Sequence, residues 1–328
     1  MTNRLLFVLL TSFLLTSTRL ADAQQTKKVW HVGFLSSVSA KSSVHLWSAF
    51  LSGLRDLGYI GGQNVMIEAR WAEGKPDRLP DLATELVSRK VDVIVSTGGT
   101  VTAFAAKNAT SSIPIVFTVG GDLVKLGLIG SLARPGGNLT GLSLLTTELN
   151  VKRLELLQET LPTTRIIGIM GNPSNPNYVI QIEETLAAAK TLGMQTVILE
   201  VRNVSEVESL LSSISKRSIR ALLVLSDPML NSNRQRITSA VMKSRLPAIY
   251  EFKEFTDSGG LMSYGTDITA VYRRIGVYID KIFKGVSPAE LPIEQPTTFE
   301  LVVNLKTAKQ IGLTIPPNVL ARADRVIR

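Results

Sequence analysis

Apolar residues fall along this chain in short runs that alternate with stretches of helical spacing. Val29 to Leu35 is a run of strand length. Val44 to Leu57 sets Leu46, Phe50, Leu54 and Leu57 on one helical face, and Gly58 follows as a stop. Val65 to Trp71 alternates as a strand does, with Val65, Ile67 and Ala69 on one side. Arg78 to Lys90 is helical through Leu79, Leu82 and Leu86, and Val91 to Val95 then reads as a buried strand. Val101 to Ala109 is a short helix, and Ile113 to Val119 is another strand. Such βα alternation predicts an α/β fold with parallel strands and helices on both faces.

The second half runs through the same order. Strands are predicted over Arg165 to Met170, Gln195 to Val201, Ala221 to Leu225 and Leu246 to Tyr250. Between them lie helical stretches over Tyr178 to Leu192, Val204 to Lys216 and Asn231 to Arg245. Details repeat as well. "LWSAFLSGLRDLGY" corresponds to "IQIEETLAAAKTLGM" in helix and glycine stop, and "SSIPIVFTVGGD" corresponds to "KSRLPAIYEFKEF". "RPGGNLTGLS" and "DSGGLMSYG" each close their half. Two similar Rossmann-like lobes are expected, each a small open parallel sheet.

Composition narrows the function. The chain has 328 residues, of which 45% are apolar, enough for two packed domains. It has no cysteine and two histidines, which excludes disulfides, thiol nucleophiles and cysteine zinc sites and leaves little for histidine chemistry. His31 and His45 read as ordinary packing or surface residues. The net charge of +9 is scattered, in no cluster larger than pairs such as Lys27-Lys28 and Arg273-Arg274, so it describes a basic surface and no nucleic-acid partner is expected. No catalytic motif, metal site or cofactor fingerprint is present: neither G-x-S-x-G nor H-E-x-x-H occurs, and no G-x-G-x-x-G opens a helix. Residues 1–23 carry an early Arg4, an apolar run from Leu5 to Leu15 and small residues Ala21 and Ala23. This is the pattern of a signal peptide cleaved after Ala23, which predicts export to the periplasm as a free protein.

In open parallel sheets ligands bind beyond the carboxyl ends of the strands. The candidate ligand-binding residues from the first half are therefore Ser36, Ser37, Thr97, Gly98, Gly99, Thr100, Gly121 and Asp122. Those from the second half are Asn172, Asn175, Asp227, Tyr250 and Glu251. In "STGGT" (96–100) no lysine stands at the spacing of a phosphate loop, so amides and hydroxyls at a helix start remain. That is suited to a carboxylate, although an ordinary glycine turn at a helix cap explains the stretch equally well. Asp227 in "SDP" is either an acceptor for a ligand ammonium or a helix cap. An amide nest facing an acidic residue suits a zwitterion such as an amino acid.

"VGFLSS", "AFLSGLRDLGYIGGQNVMIEARWAEGKPDRLPDLATELV", "VDVIVSTGG", "IPIVFTVGGDLVKLGLIGSLARPGGNLTGLS", "RLELLQE", "GGLMSYG" and "PTTFELVVNLKTAKQIGLTIPP" together resemble the ABC-transporter substrate-binding proteins of the type I periplasmic-binding class, a group that includes proteins for tryptophan or tyrosine uptake. The resemblance spans Val29 to Ile327. It implies a clamp with a three-crossing hinge near Gly141 to Leu144, Tyr264 to Thr266 and Pro296 to Leu301. It also implies a helix from Ile268 to Phe283 that returns to lobe one. The lobes would then be residues 28–143 plus 266–295, and 144–265 plus 296–328. The implied function is a monomeric solute-binding protein that delivers a small ligand to an inner-membrane ABC permease. A sensor docking on a receptor kinase, or an enzyme on the same frame, are the alternatives.

Overall fold

The computed structural model describes residues 28–213 and 218–328, so the expected signal peptide lies outside the described residues. The first half supplies β1 (Trp30–Ser36), α1 (Val44–Asp56), β2 (Val65–Trp71), α2 (Leu79–Ser88), β3 (Val93–Thr97), α3 (Thr100–Ala109), β4 (Ile115–Val119) and β5 (Leu139–Ser143). These strands form one sheet in the order β2-β1-β3-β4-β5, parallel throughout. β3 and β4 are buried along their whole length, as helices on both faces require.

Next come α4 (Asn150–Thr160), β6 (Ile166–Gly171), α5 (Tyr178–Thr191), β7 (Gln195–Glu200), α6 (Val207–Ser213) and β8 (Ala221–Val224). They are followed by α7 (Pro228–Ser232), α8 (Arg234–Lys243), β9 (Ala248–Tyr250), α9 (Lys253–Asp257) and β10 (Met262–Gly265). The chain ends with α10 (Ile268–Phe283), β11 (Glu300–Asn304), α11 (Leu305–Ile311), α12 (Pro317–Leu320) and β12 (Arg325–Ile327). The second sheet has the order β12-β11-β10-β9-β8-β6-β7. Its stretch β7-β6-β8-β9-β10 has the same order as β2-β1-β3-β4-β5, so the duplication read in the sequence is a duplication of topology. β11 is antiparallel to β10, and every other pairing in this sheet is parallel.

Some elements depart from the pattern. The stretch expected as one helix over 231–245 is two, α7 and α8, broken at Asn233, whose side-chain amide donates to the Met229 carbonyl at 2.8 Å. β4 begins at Ile115, two residues later than expected, directly after Pro114. Helical periodicity gave no sign of α4, whose Arg153 and Asn150 are buried among apolar neighbours.

The chain passes three times between the sheets. It leaves the first after β5, and it leaves the second after β10. α10 then packs back on the first sheet: Ile268, Val271, Tyr272, Ile275 and Ile279 join Val32, Phe34, Phe50 and Val95 in one core. Trp30 stacks on Phe283 with ring centroids 4.1 Å apart. Asp267 starts α10 by accepting from the amides of Thr269 and Ala270 at 2.9 and 3.2 Å. Residues after α10 stay with the first sheet, where Glu294 bridges Leu142 in parallel, and the chain then crosses to β11. Ile275 is fully buried at the heart of this docking. Ile275→Ala is expected to cost about 2–5 kcal/mol of stability in chemical denaturation.

Candidate functional site

Between the carboxyl ends of the two sheets lie two adjoining cavities of about 70 and 410 Å³. Both are lined from both halves of the chain and share Val38, Ser42, Thr100, Asn175, Asp227, Pro228 and Ser232. The smaller lies toward the hinge, against Leu144, Ile268 and Tyr272. The larger extends past Ser37 and Glu73 on one side and Asn172 and Arg202 on the other.

"STGGT" straddles the end of β3 and the start of α3. Gly98 and Gly99 have φ of 80° and 94°, in the left-handed region that favours glycine. A Cβ on Gly99 would lie 2.7 Å from Pro228 Cγ, so the start of α3 touches the opposite half. Ser37 Oγ donates to the Gly98 carbonyl at 2.5 Å and fixes the turn. No side chain caps α3, and Gly98, Gly99 and Thr100 at its start line the cavity.

The opposite wall comes from "GNPSNPN" (171–177) and "SDP" (226–228). In the former, two asparagine turns repeat: Asn172 Oδ1 accepts from the Ser174 amide and Asn175 Oδ1 from the Asn177 amide, both at 3.0 Å. Their side-chain amides then donate to Asp227 Oδ2 at 3.1 and 3.0 Å. Asp227 Oδ1 accepts from the Leu230 amide at 3.0 Å, so Asp227 does cap α7. Glu251 stands one residue beyond β9, with Oε2 unpartnered; Asn177 Oδ1 is unpartnered too, and both residues are buried. Burial pushes the Asp227 carboxyl up, against the hydrogen bonds from Leu230, Asn175, Asn172 and Met229 that pull it down. Burial pushes Glu251 up to about 8; the Arg153 charge opposes this, and Asp227 and Glu254 add to it. Glu254 is likewise raised by burial. His45 Nε2 lies 3.9 Å from Glu254 Oε1, but burial and Arg234 lower its pKa, so it is a neutral imidazole at pH 7. An apolar wall of Val38, Leu46, Leu144, Phe252, Ile268 and Tyr272 completes the smaller cavity.

Of the residues expected from the sequence, Gly98, Gly99, Thr100, Asn175, Asp227 and Glu251 line the smaller cavity, while Ser37 and Asn172 line the larger. The remaining five line neither. Ser36 and Thr97 are fully buried at their strand ends, where Thr97 and Thr118 flank the Tyr272 hydroxyl. Gly121 lies against Asn177 across the halves. Asp122 turns back on its own loop, accepting from the amides of Val124 and Lys125. Tyr250 is fully buried and stacks on Phe255 at 4.6 Å. Sequence reasoning missed His45, Asn177, Phe252 and Tyr272. The first three follow directly on strand-end loops or the next helix start, so their position could have flagged them. Tyr272 comes from α10, and no local pattern points to it. Among the described residues no group of three or more His, Asp or Glu side chains is placed to hold a metal ion.

The sequence profile of the ABC transporter substrate binding protein family matches residues 31–327. The chain belongs to that family. A tyrosine-binding protein from Clostridioides difficile is 29% identical over 289 residues, covering 88% of this chain and 82% of the relative. The structure of an ABC domain in complex with L-Trp from Streptococcus pneumoniae is 27% identical and superposes with a TM-score of 0.81, covering 90% of this chain and all of the other (100%). The ligand-free, open structure of a substrate binding protein with adhesive properties from Clostridium difficile is 26% identical with a TM-score of 0.67, covering 91% and 99%. The identities are alike, and the better superposition is with the liganded protein. In this substrate-binding protein the halves meet across the cleft through Gly99 and Pro228, Gly121 and Asn177, and Lys125 and Glu184 (2.8 Å). The fold is the type I periplasmic-binding fold, and among the described residues no helix is long and apolar enough to cross a membrane.

Proposed function

We propose that the protein captures an aromatic amino acid of the tryptophan or tyrosine class and presents it to an inner-membrane ABC permease, working in the periplasm after export by residues 1–23. The proposed lobes are residues 28–143 plus 266–295 and 144–265 plus 296–328. One observation carries the ligand assignment. The unpartnered acceptors Glu251 Oε2 and Asn177 Oδ1 stand on one wall of a cleft whose other wall presents the uncapped start of α3. An ammonium brings three donors and a positive charge to the first wall, with Asp227 beside it. A carboxylate matches the amides and helix dipole on the second. Phe252, Tyr272 and the aliphatic residues between them then receive an apolar side chain.

The ligand shifts the clamp toward closure because only the closed arrangement brings both walls to it. L-Tryptophan and L-tyrosine are expected to raise the melting temperature, by about 2.7 kcal/mol of added stability at a hundredfold excess over Kd. 3-Phenylpropionate, which lacks the amine, is expected to give no shift. An equal shift from both classes, or none from any aromatic amino acid, would sink the assignment.

The Glu251 carboxyl, pushed up to about 8, is largely protonated at pH 7 in the free protein. An ammonium beside it favours the ionised form. Ligand binding is therefore expected to release close to one proton at pH 7. Calorimetry in buffers of different ionisation heat reads this directly, and a buffer-independent enthalpy would contradict it.

A further inference from the structure

Arg153 is fully buried, the largest side chain to be so, and it lies outside the cleft lining. Its guanidinium is spent on the hinge. Nε donates to the Tyr264 carbonyl at 2.8 Å, in the strand that leads into the second crossing. Nη1 donates to the Thr146 carbonyl at 2.7 Å, in the first crossing, and to Asn150 Oδ1 at 2.6 Å. Nη2 has no hydrogen-bond partner. Gly265 packs between this nitrogen and Glu251: a Cβ there would lie 2.0 Å from the Glu251 carbonyl oxygen and 3.3 Å from Arg153 Nη2. On the far side Glu251 faces the cavity with its own Oε2 unpartnered. A buried cation with a free donor and a buried carboxylate with a free acceptor thus share one small region, one bound to the hinge and the other to the cleft.

We propose that Arg153 is a positioning residue that fixes two of the three hinge crossings together and supplies the countercharge for Glu251, so that ligand capture and lobe closure are joined through one buried guanidinium. Desolvation of an unpaired buried charge is costly, and a fully buried guanidinium is retained only where its charge and hydrogen bonds are used. The hinge bonds occupy two of its nitrogens. The field of the third reaches Glu251, which is otherwise faced by like charges, Asp227 and Glu254, and by the neutral Ser226 hydroxyl. The other groups facing Arg153 are Tyr264 and Glu148, and those facing Glu254 are His45, Lys253, Arg234 and Asp267. Burial brings Arg153 down to about 10, so it stays charged through the range in which Glu251 titrates.

The ligand arm of the test rests on the reading of the cleft as an amine site, so the deciding arm uses no ligand. Glu251 ionises near 4.5 in the unfolded chain and near 8 in the folded one, so the native state holds the extra proton between those values and stability falls as pH rises across that window. Melting temperatures of the wild type, Arg153→Met, Glu251→Gln and the double variant are measured from pH 5 to 9. Loss of the countercharge raises Glu251 further, so in Arg153→Met the decline is expected to continue at least about one pH unit higher. The shift is expected to vanish in the Glu251→Gln background. A purely structural arginine would lower the melting temperature by the same amount at every pH, and that result overturns the proposal. Should Arg153→Met fail to fold, Arg153→Lys carries the test. Its displaced ammonium is expected to move the Glu251 midpoint, read from the carboxyl resonance of 13C-labelled glutamate, and an unmoved midpoint overturns the proposal. In the ligand arm, Arg153→Met is expected to bind L-tryptophan at least about tenfold more weakly than wild type at pH 7. A wild type that fails to bind L-tryptophan speaks against the ligand assignment alone and leaves the melting profiles to decide on Arg153.

Discussion

Asp227→Ala is expected to weaken amino-acid binding at least tenfold, and by more than about a hundredfold if the ammonium pairs with this carboxylate directly. Removing one member of a buried charge pair costs roughly 3–5 kcal/mol. The reason is local. Asp227 gathers the side-chain amides of Asn172 and Asn175 and caps α7 through the Leu230 amide, so its removal leaves three donors without an acceptor and frees the wall to move. Asp227→Asn keeps an oxygen for the cap but loses the charge and sets an amide against the Asn172 and Asn175 donors. Calorimetry with L-tryptophan should place it between wild type and Asp227→Ala. Unchanged affinity in both variants would remove Asp227 from the site.

The second large effect is expected at Gly121, which touches no cavity. Its φ is 94°, and a Cβ there would lie 2.3–2.4 Å from the side-chain amide atoms of Asn177 on the opposite half. Gly121→Ala therefore burdens the closed arrangement, beyond the backbone strain that a side chain meets at this φ in either form. The open form gains population in proportion, and affinity falls by the fraction of molecules still able to close. A loss of at least about tenfold is expected, with small-angle scattering showing no contraction on adding L-tryptophan at concentrations that contract the wild type. Contraction equal to that of the wild type would show that this contact plays no part in closure.

How far these sites were legible follows from which interactions are local. The βα order and the duplication were readable because periods of two and 3.6 mark strands and helices before any tertiary contact is known. The cleft was readable because strand ends in a parallel sheet share one side. Side-chain direction within that side was not. Tyr250 and Glu251 are neighbours, yet the tyrosine turns onto Phe255 in the core and the glutamate turns to the cavity. One residue of pleat decides between them. Asp122 satisfies its own turn amides, a choice that short polar side chains make whenever a loop allows it. Tyr272 and Arg153 act on the cleft or hinge from helices far away in sequence, and both were beyond any pattern read along the chain. The partition at the hinge came from the resemblance rather than from periodicity.

α10 bears on how the molecule comes into being. The core of the first sheet is sealed by residues 268–283, which lie beyond every strand of the second sheet except β11 and β12. A chain growing from its amino end has therefore made nearly all of the second half before the first can be closed. Until then the face of β1, β3 and β4 that awaits Ile275 is bare, and such surfaces invite self-association. Refolding is expected to be slow for the same topological reason. Under the proposed export, in which the chain crosses a membrane before it folds, that late closure would be an advantage: the segment that would lock it into a rigid shape is among the last to appear.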